Sequence, residues 1–393
     1  MALVISSAHR VCRPVEEPDH MPSHTLKLLL IVGARPNFMK AAPLIHAICR
    51  HNKTLLNGMP RISCVLVHTG QHYDAEMSDI FFKDLGMPAP DINLGVGSGT
   101  HAVQTAAIMT KFEPVCTQEN PDWVVLFGDI NSTLACTLVA AKLGLKLAHV
   151  EAGLRSFDRT MPEEINRVVT DALADLLLTP SADANENLKR EGIPDSKIRL
   201  VGNVMIDSLV ANLDAARQSG ILGRLGLKEK EFAYVTLHRP SNVDDRSTLN
   251  AIMTELRRLA ESMPVVFPVH PRTRKMLAEF GIVVEKNNGL GVVDPVGYHE
   301  SLCLAESARL ILTDSGGLQE ESTYFRTPCL TLRPNTERPV TVEVGSNRLT
   351  RIEKLGDDLC NLLAEPPRLG QIPPLWDGRT AERIVEAVVH LSS

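Results

Sequence analysis

The sequence predicts an α/β protein made of two doubly wound parallel sheets that face one cleft. At 393 residues the chain exceeds what one ordinary core fills and suits two domains of about 150 to 200 residues. Short runs rich in Val, Ile and Leu alternate with helical-period segments almost throughout, the pattern of repeated βα units. Polar, glycine-containing motifs begin where the strand candidates end, and open α/β sheets bind ligands beyond the carboxyl ends of their strands.

In chain order, the first stretch, Met1 to Thr25, mixes charges, prolines and histidines without an apolar core. It reads as a disordered extension and not as a secretory signal, with Met21 as a second potential start. The first domain, residues 26–202, has strand candidates at Lys27 to Val32, Arg61 to His68, Trp123 to Phe127, Lys146 to Val150 and Leu176 to Thr179. The second, residues 203–370, has them at Ala233 to Leu237, Val265 to Val269, Gly291 to Val293, Leu310 to Thr313 and Cys329 to Leu332. Gly202-Asn203 reads as the crossing between domains, and residues 371–393 hold a closing helix that can pack back on the first domain.

Composition narrows the function. No apolar run approaches the roughly 20 residues that a membrane span needs. A formal net charge of −6 disfavours a nucleic-acid surface, which wants a basic field. The eight cysteines are scattered without a CxxC pair, which suits buried thiols in a reducing cytoplasm and predicts neither zinc nor a disulfide frame.

Thr313-Asp314-Ser315-Gly316-Gly317-Leu318-Gln319-Glu320-Glu321 follows an apolar strand, so it reads as a strand, a glycine turn and a helix start. Small residues there leave backbone N–H groups open to a phosphate. Glu320 and Glu321, one turn into the helix, supply acceptors for sugar hydroxyls, which points to a nucleotide sugar. Glu151 directly follows the apolar strand Lys146 to Val150, where an acid must be partnered or functional. Asp129 and Glu163 have helix-start explanations as well, Glu163 lying just after Pro162.

The strings GARPNFMKAAPL, TGQHYD, FGDINSTLA, HVEAGLRS, MPEEINR, GNVMIDSL, TLHRPSN, PVHPR, LTDSGGLQEE and NTERPVT, in this order, resemble the non-hydrolysing UDP-N-acetylglucosamine 2-epimerases. The resemblance implies a glycosyltransferase-B-like fold of two Rossmann-like domains. It also implies interconversion of UDP-N-acetylglucosamine and UDP-N-acetylmannosamine without cofactor or metal, in a cytoplasmic homodimer. By motif match Asp129, Glu151 and Glu163 are the acid/base candidates. Arg35, Lys40 and His238 are expected to meet the diphosphate, supported by Arg239 and His270; Ser315 and Gly316 the phosphate oxygens; Glu321 the ribose; and Arg333 the uracil or a phosphate. The sequence departs from the family pattern at Ala34, Asn37, Ser241 and Val340, and at Tyr73 and Asp74, where relatives activated by their own substrate read QHRxM. Alternatives in the same class are an epimerase of a modified UDP-sugar or a hydrolysing epimerase. A glycosyltransferase and a nucleotide-sugar sensor are the alternatives of other classes.

Overall fold

The computed structural model describes residues 25–55, 58–71, 86–283, 289–364 and 369–392. The expected extension (residues 1–24) and the effector-motif positions His72, Tyr73 and Asp74 lie outside them. Thr25, assigned to the extension from sequence, is the first residue of a strand. The chain divides into two compact units, Met1–Ser208 with Asp377–Ser393, and Leu209–Trp376.

The first unit holds a parallel sheet of seven strands: β1 (Thr25–Val32), β2 (Arg61–His68), β3 (Ile92–Asn93), β4 (Trp123–Phe127), β5 (Lys146–Val150), β6 (Leu176–Thr179) and β7 (Ile198–Leu200). Their spatial order is β3-β2-β1-β4-β5-β6-β7. The central strands are apolar at nearly every position because helices cover both faces, and a two-sided burial leaves no place for alternation. Leu29, Ile31, Val124 and Leu126 enter one core together with Ile108, Phe112 and Val115 of the helix His101–Glu119. The closing helix Thr380–His390 belongs to this unit and packs on the helix Arg35–Lys53. Asp207 fixes its start by accepting from the N–H groups of Thr380 (3.1 Å) and Ala381 (2.7 Å), which stand among the donors that a helix leaves unsatisfied.

The second unit repeats the plan with six strands: β8 (Ala233–Thr236), β9 (Val265–Pro268), β10 (Leu290–Val293), β11 (Leu310–Thr313), β12 (Cys329–Leu332) and β13 (Asn347–Thr350), in the order β10-β9-β8-β11-β12-β13. Here the two cores separate by strand parity: Ala233 and Val235 point into one, Phe232 and Tyr234 into the other. Strands β3, β7 and β13 escaped the sequence reading. All three are edge strands of two to four residues, and their half-exposed, polar-containing sequences (Ile-Asn, Ile-Arg-Leu, Asn-Arg-Leu-Thr) lack the apolar run that marks a central strand.

In both units the strand order reverses once, between β1 and β4 and between β8 and β11. Connections there leave the sheet in opposite directions and open a crevice at the strand ends. The motif loops after β1 and β4 flank the first reversal, and those after β8 and β11 the second.

Of the described cysteines, Cys64, Cys116, Cys136, Cys303 and Cys329 are buried free thiols and Cys360 is an exposed one. Cys49 departs from the expectation of unpaired thiols and is disulfide-bonded.

Gly153 shows how tightly the loop after β5 is built. Its φ is +80°, and a Cβ placed there would lie 2.5 Å from the carbonyl oxygen of Ala184. Gly153→Ala is therefore expected to destabilise the first unit by more than about 1 kcal/mol, through both the left-handed backbone and the collision. A lowered urea midpoint checks this, and an unchanged midpoint contradicts it.

Candidate functional site

The rim of the first unit starts with the loop after β1. A Cβ on Gly33 would fall 2.3 Å from Ser132 Oγ and 2.6 Å from Thr69 Oγ1, so only glycine lets this loop approach the helix Asn131–Lys142. Asn37, one of the departures from the family pattern, is buried and structural. Its Oδ1 accepts from the N–H groups of Gly33 (3.3 Å) and Ala34 (3.2 Å), and its Nδ2 donates to Phe127 O (2.8 Å) at the end of β4. One side chain thus closes the helix start and ties it to the next strand. Arg35 is the first residue of that helix; its side chain is outside the described set.

One turn on, Lys40 is buried and its ammonium contacts Glu151 Oε2. Expected from resemblance to serve the diphosphate, it stands here in contact with an acid/base candidate. Glu151 is 6 % exposed and has a φ of +74°, a left-handed conformation that a non-glycine residue holds only where its surroundings dictate it. Its N–H donates to Leu178 O (3.0 Å), which turns the chain out of β5 at this point. The pair is a buried ion pair, so removing either partner leaves an uncompensated charge, at a cost of about 3 to 5 kcal/mol.

Asp129 follows Gly128 at the end of β4. Its Oδ2 accepts from Arg167 Nε (2.9 Å), and its backbone carbonyl accepts from Asn166 Nδ2 (2.8 Å). A Cβ on Gly128 would sit 2.8 Å from Lys40 Nζ and 3.6 Å from Glu151 Oε2, so the Asp129 loop and the Lys40–Glu151 pair are in contact. The acids of MPEE divide their tasks. Glu164 is buried and accepts from Ser156 N (3.0 Å), Ser156 Oγ (3.0 Å), Phe157 N (2.9 Å) and Arg167, which makes it the brace of the loop before its helix. Glu163 stands exposed on the first turn of Pro162–Leu173.

Sequence reasoning passed over Asp171, which lies on the same helix and is fully buried. Its carboxylate accepts from His149 Nδ1 (2.6 Å), Arg155 Nη1 (2.7 Å) and Gly153 N (3.0 Å). Burial pushes this carboxyl up, but His149 and Arg155 outweigh it and hold it below the ordinary range. Arg155 is shared with Glu191 through a two-pronged contact (2.7 and 2.6 Å). The signal was present in HVEAGLR, where a buried-strand histidine and an arginine call for an anionic partner, but that partner lies 22 residues beyond His149 and only the fold names it.

In the second unit the corresponding buried acid is Asp314, at the end of β11. It accepts from the N–H groups of His238 (3.0 Å) and Arg239 (2.9 Å), from Asn242 Nδ2 (3.1 Å) and from His238 Nδ1 (2.9 Å). Burial raises its pKa, and the His238 contact with these donors more than reverses the effect. The His238 side chain is 42 % exposed and its ring lies 5.6 Å from that of His270. His270 caps its own helix, accepting at Nδ1 from Arg272 N (3.2 Å). Ser315 and Gly316 begin the helix Gly316–Phe325 without a side-chain cap. The sequence expectations for this rim thus fall on consecutive strand ends, with His238 tied by Asp314 to the start of the Ser315–Gly316 turn.

Beneath that turn lies a chain of buried charges. Arg338 contacts Glu320 Oε1 (2.7 Å) and Glu337, and Glu337 accepts from Arg333 Nη2 (2.7 Å). Despite its burial, Glu337 is held far below the carboxylate range by these two guanidinium groups. Arg333 is buried, and among the described residues its Nη1 has no hydrogen-bond partner. Glu321, 7 % exposed, has its carboxyl pushed up to about 8 by burial and by the neighbouring Glu320. Among the described residues no group of three or more His, Cys, Asp or Glu side chains could hold a metal ion.

The raised Glu321 has a pH signature. Its folded pKa is above its unfolded value, so the folded chain binds more protons between an ordinary 4.5 and about 8, and stability falls as pH rises through that window. Asp171 and Asp314, whose pKa values are lowered, act oppositely: their stabilisation is present above the ordinary carboxylate range and is lost on acidification below it. Glu321→Gln is expected to gain stability over the parent progressively from pH 5 to pH 8. Urea midpoints across that range check it, and a difference independent of pH contradicts it.

Comparison with known proteins places the chain in a family. Residues 55–389 match the family described as UDP-N-acetylglucosamine 2-epimerase. The UDP-N-acetylglucosamine 2-epimerase of Methanocaldococcus jannaschii is 42% identical over 374 residues, covering 93% of this chain and 99% of that protein. The crystal structure of the Methanocaldococcus jannaschii enzyme in complex with UDP-GlcNAc and UDP superposes with a TM-score of 0.82, over 93% of this chain and 100% of that one. A UDP-2,3-diacetamido-2,3-dideoxy-D-glucuronate 2-epimerase of Pseudomonas aeruginosa is 43% identical over 328 residues, covering 82% of this chain and 88% of that protein. With the family pattern running from the β2 region to the closing helix, and with a relative 42% identical across nearly its whole length, the chain belongs to the UDP-N-acetylglucosamine 2-epimerase family.

Proposed function

We propose that this chain interconverts UDP-N-acetylglucosamine and UDP-N-acetylmannosamine by eliminating UDP and adding it back. The observation that carries the reading is Glu151, a buried acid locked at positive φ against Lys40 and beside the Asp129 loop. Such a group is partnered and oriented, which acid/base chemistry requires and a helix cap does not.

The hydrogen on C2 of the sugar is not next to a carbonyl, so a base cannot remove it from the resting substrate at a useful rate. As the C1–O bond to UDP breaks, its electron pair leaves with the diphosphate, and the positive character at C1 acidifies the C2 hydrogen. A carboxylate takes that proton, the C2–H electrons form the C1=C2 double bond, and a glycal and UDP result. Protonation of C2 on the opposite face and return of the UDP oxygen to C1 give the epimer. In this scheme Asp129, Glu151 and Glu163 are the acid/base set, and Lys40 fixes the Glu151 carboxylate.

The second unit is assigned the nucleotide. Ser315 and the N–H of Gly316 suit phosphate oxygens at a helix start, and His238, held at Nδ1 by Asp314, presents its other ring nitrogen to the departing diphosphate. Arg35, Arg239 and His270 complete the diphosphate set. Glu321 suits the ribose hydroxyls, and the spare Nη1 of Arg333 supports a uracil or phosphate contact.

A second reading is an epimerase of a diacetamido uronate nucleotide, favoured by the relative of that name at 43% identity. The chain is further proposed to act in the cytoplasm as a homodimer. No helix among the described residues is long and apolar enough to cross a membrane, and the helix Pro162–Leu173 leaves Ile165 and Leu173 exposed on its outer side.

Incubation of the pure protein with UDP-N-acetylglucosamine alone is expected to yield the C2 epimer, carrying solvent deuterium at C2 when run in deuterated water. Unlabelled product overturns the elimination route, free sugar with UDP identifies hydrolysis, and inertness toward this substrate with turnover of the uronate selects the second reading. Glu151→Gln keeps the volume and loses the basic carboxylate, so turnover is expected to fall by roughly 10²- to 10⁴-fold with UDP affinity little changed. An equal loss of UDP binding contradicts the assignment.

A further inference from the structure

We propose that His149 and Asp171 form a positioning pair that sets the Asp129 loop and the Glu151 loop against each other; this rests on the acid/base reading of those two carboxylates. His149 is fully buried on β5. It donates from Nδ1 to Asp171 Oδ1 (2.6 Å) and from Nε2 to the carbonyl of Gly128 (2.8 Å), the residue before Asp129. Asp171 in turn holds Gly153 N (3.0 Å) and Arg155 (2.7 Å), two and four residues after Glu151. The imidazole therefore bridges the two strand ends: one nitrogen fixes the backbone that presents Asp129, and the other engages the carboxylate that clamps the far side of the Glu151 turn.

A bridge of this kind is stiffer than packing alone. Both ring nitrogens of His149 face oxygen acceptors, and each oxygen of Asp171 meets at least one donor, so neither side chain can rotate without stranding a buried polar group. The strain of Glu151 at φ +74° needs such an external constraint, since a free loop would relax it. Neither His149 nor Asp171 is exposed, so their role is to place other groups and not to touch substrate. A sugar C2 placed between two acid/base groups tolerates little error in their separation, because a misplacement of about 1 Å costs on the order of 10²-fold in rate.

The test compares His149→Gln, His149→Ala and Asp171→Asn in the full-length protein, with UDP-N-acetylglucosamine as substrate. His149→Gln retains an amide donor that can reach Gly128 O; His149→Ala does not. The expected result is a kcat lower by roughly 10- to 100-fold for His149→Ala and Asp171→Asn, with KM and UDP affinity close to those of the parent. His149→Gln should recover part of the loss. Substrate deuterated at C2 should show a larger isotope effect on kcat in the slow variants, since misplaced carboxylates make proton transfer more rate-limiting. Circular dichroism and the UDP affinity report whether the variants are folded. Folded variants with parental kcat and isotope effect overturn the proposal, as does a kcat loss that only follows the folded fraction. If His149→Gln and His149→Ala are equally slow, the Gly128 contact is not the working part and the bridge is overturned. A parent protein that neither epimerises the sugar nor exchanges its C2 hydrogen overturns the acid/base reading itself, and this proposal with it.

Discussion

A carboxylate removed from water must be matched by donors or it will not stay ionised, and in each unit one buried aspartate organises the strand ends on that condition. Asp314 collects two backbone N–H groups, an asparagine and the His238 ring, all from the loop after β8 or the helix that follows it. Asp171 collects an imidazole, a guanidinium and the N–H of Gly153. In both cases the gathered donors include loop groups at the carboxyl ends of parallel strands, Gly153 and Arg155 after β5 and His238 and Arg239 after β8. The loops are ordered because the charge is buried, and leaving either aspartate out would strand several donors at once.

The same economy of parts separates structural from chemical acids. Glu164 is saturated by four donors and has no capacity left, while its neighbour Glu163 faces outward. Glu337 is locked between two arginines, while Glu321, packed beside Glu320, has its pKa raised to about 8. Glu151 lies between these extremes, since it is paired with a lysine yet held in a backbone conformation that the pair alone does not require. Within each unit, acids that are fully satisfied shape the rim, and those that are strained or raised stand apart from them as the candidates for chemistry.

Glycines serve this arrangement at close approaches. Gly33 admits Ser132 and Thr69 against the first loop, Gly128 admits Lys40, and Gly316 lies where a Cβ would come within 2.9 Å of Arg338. At each of these places a side chain would occupy the space that a functional or bracing group now fills. The glycine-containing motifs at strand ends are therefore volume requirements as much as turn requirements.

The central strands, both parallel sheets and the motif loops at their reversals were legible in the sequence, because an apolar run buried on two faces and a glycine-polar loop after it are local patterns. The acid at position 151 was legible for the same reason: a carboxylate next to a buried strand is anomalous wherever it occurs. What the chain alone did not disclose was who answers each charge. Lys40 was assigned to phosphate on resemblance, and its contact with Glu151, 111 residues away, was not foreseen. Asn37 looked like a departure and is the tie between two strand ends. Asp171 was passed over, and the short edge strands were missed because half their surface faces water and needs no apolar code. Periodicity reports which side of an element is buried; only the tertiary structure decides which distant residues meet there, because buried charge is balanced across space and not along the chain.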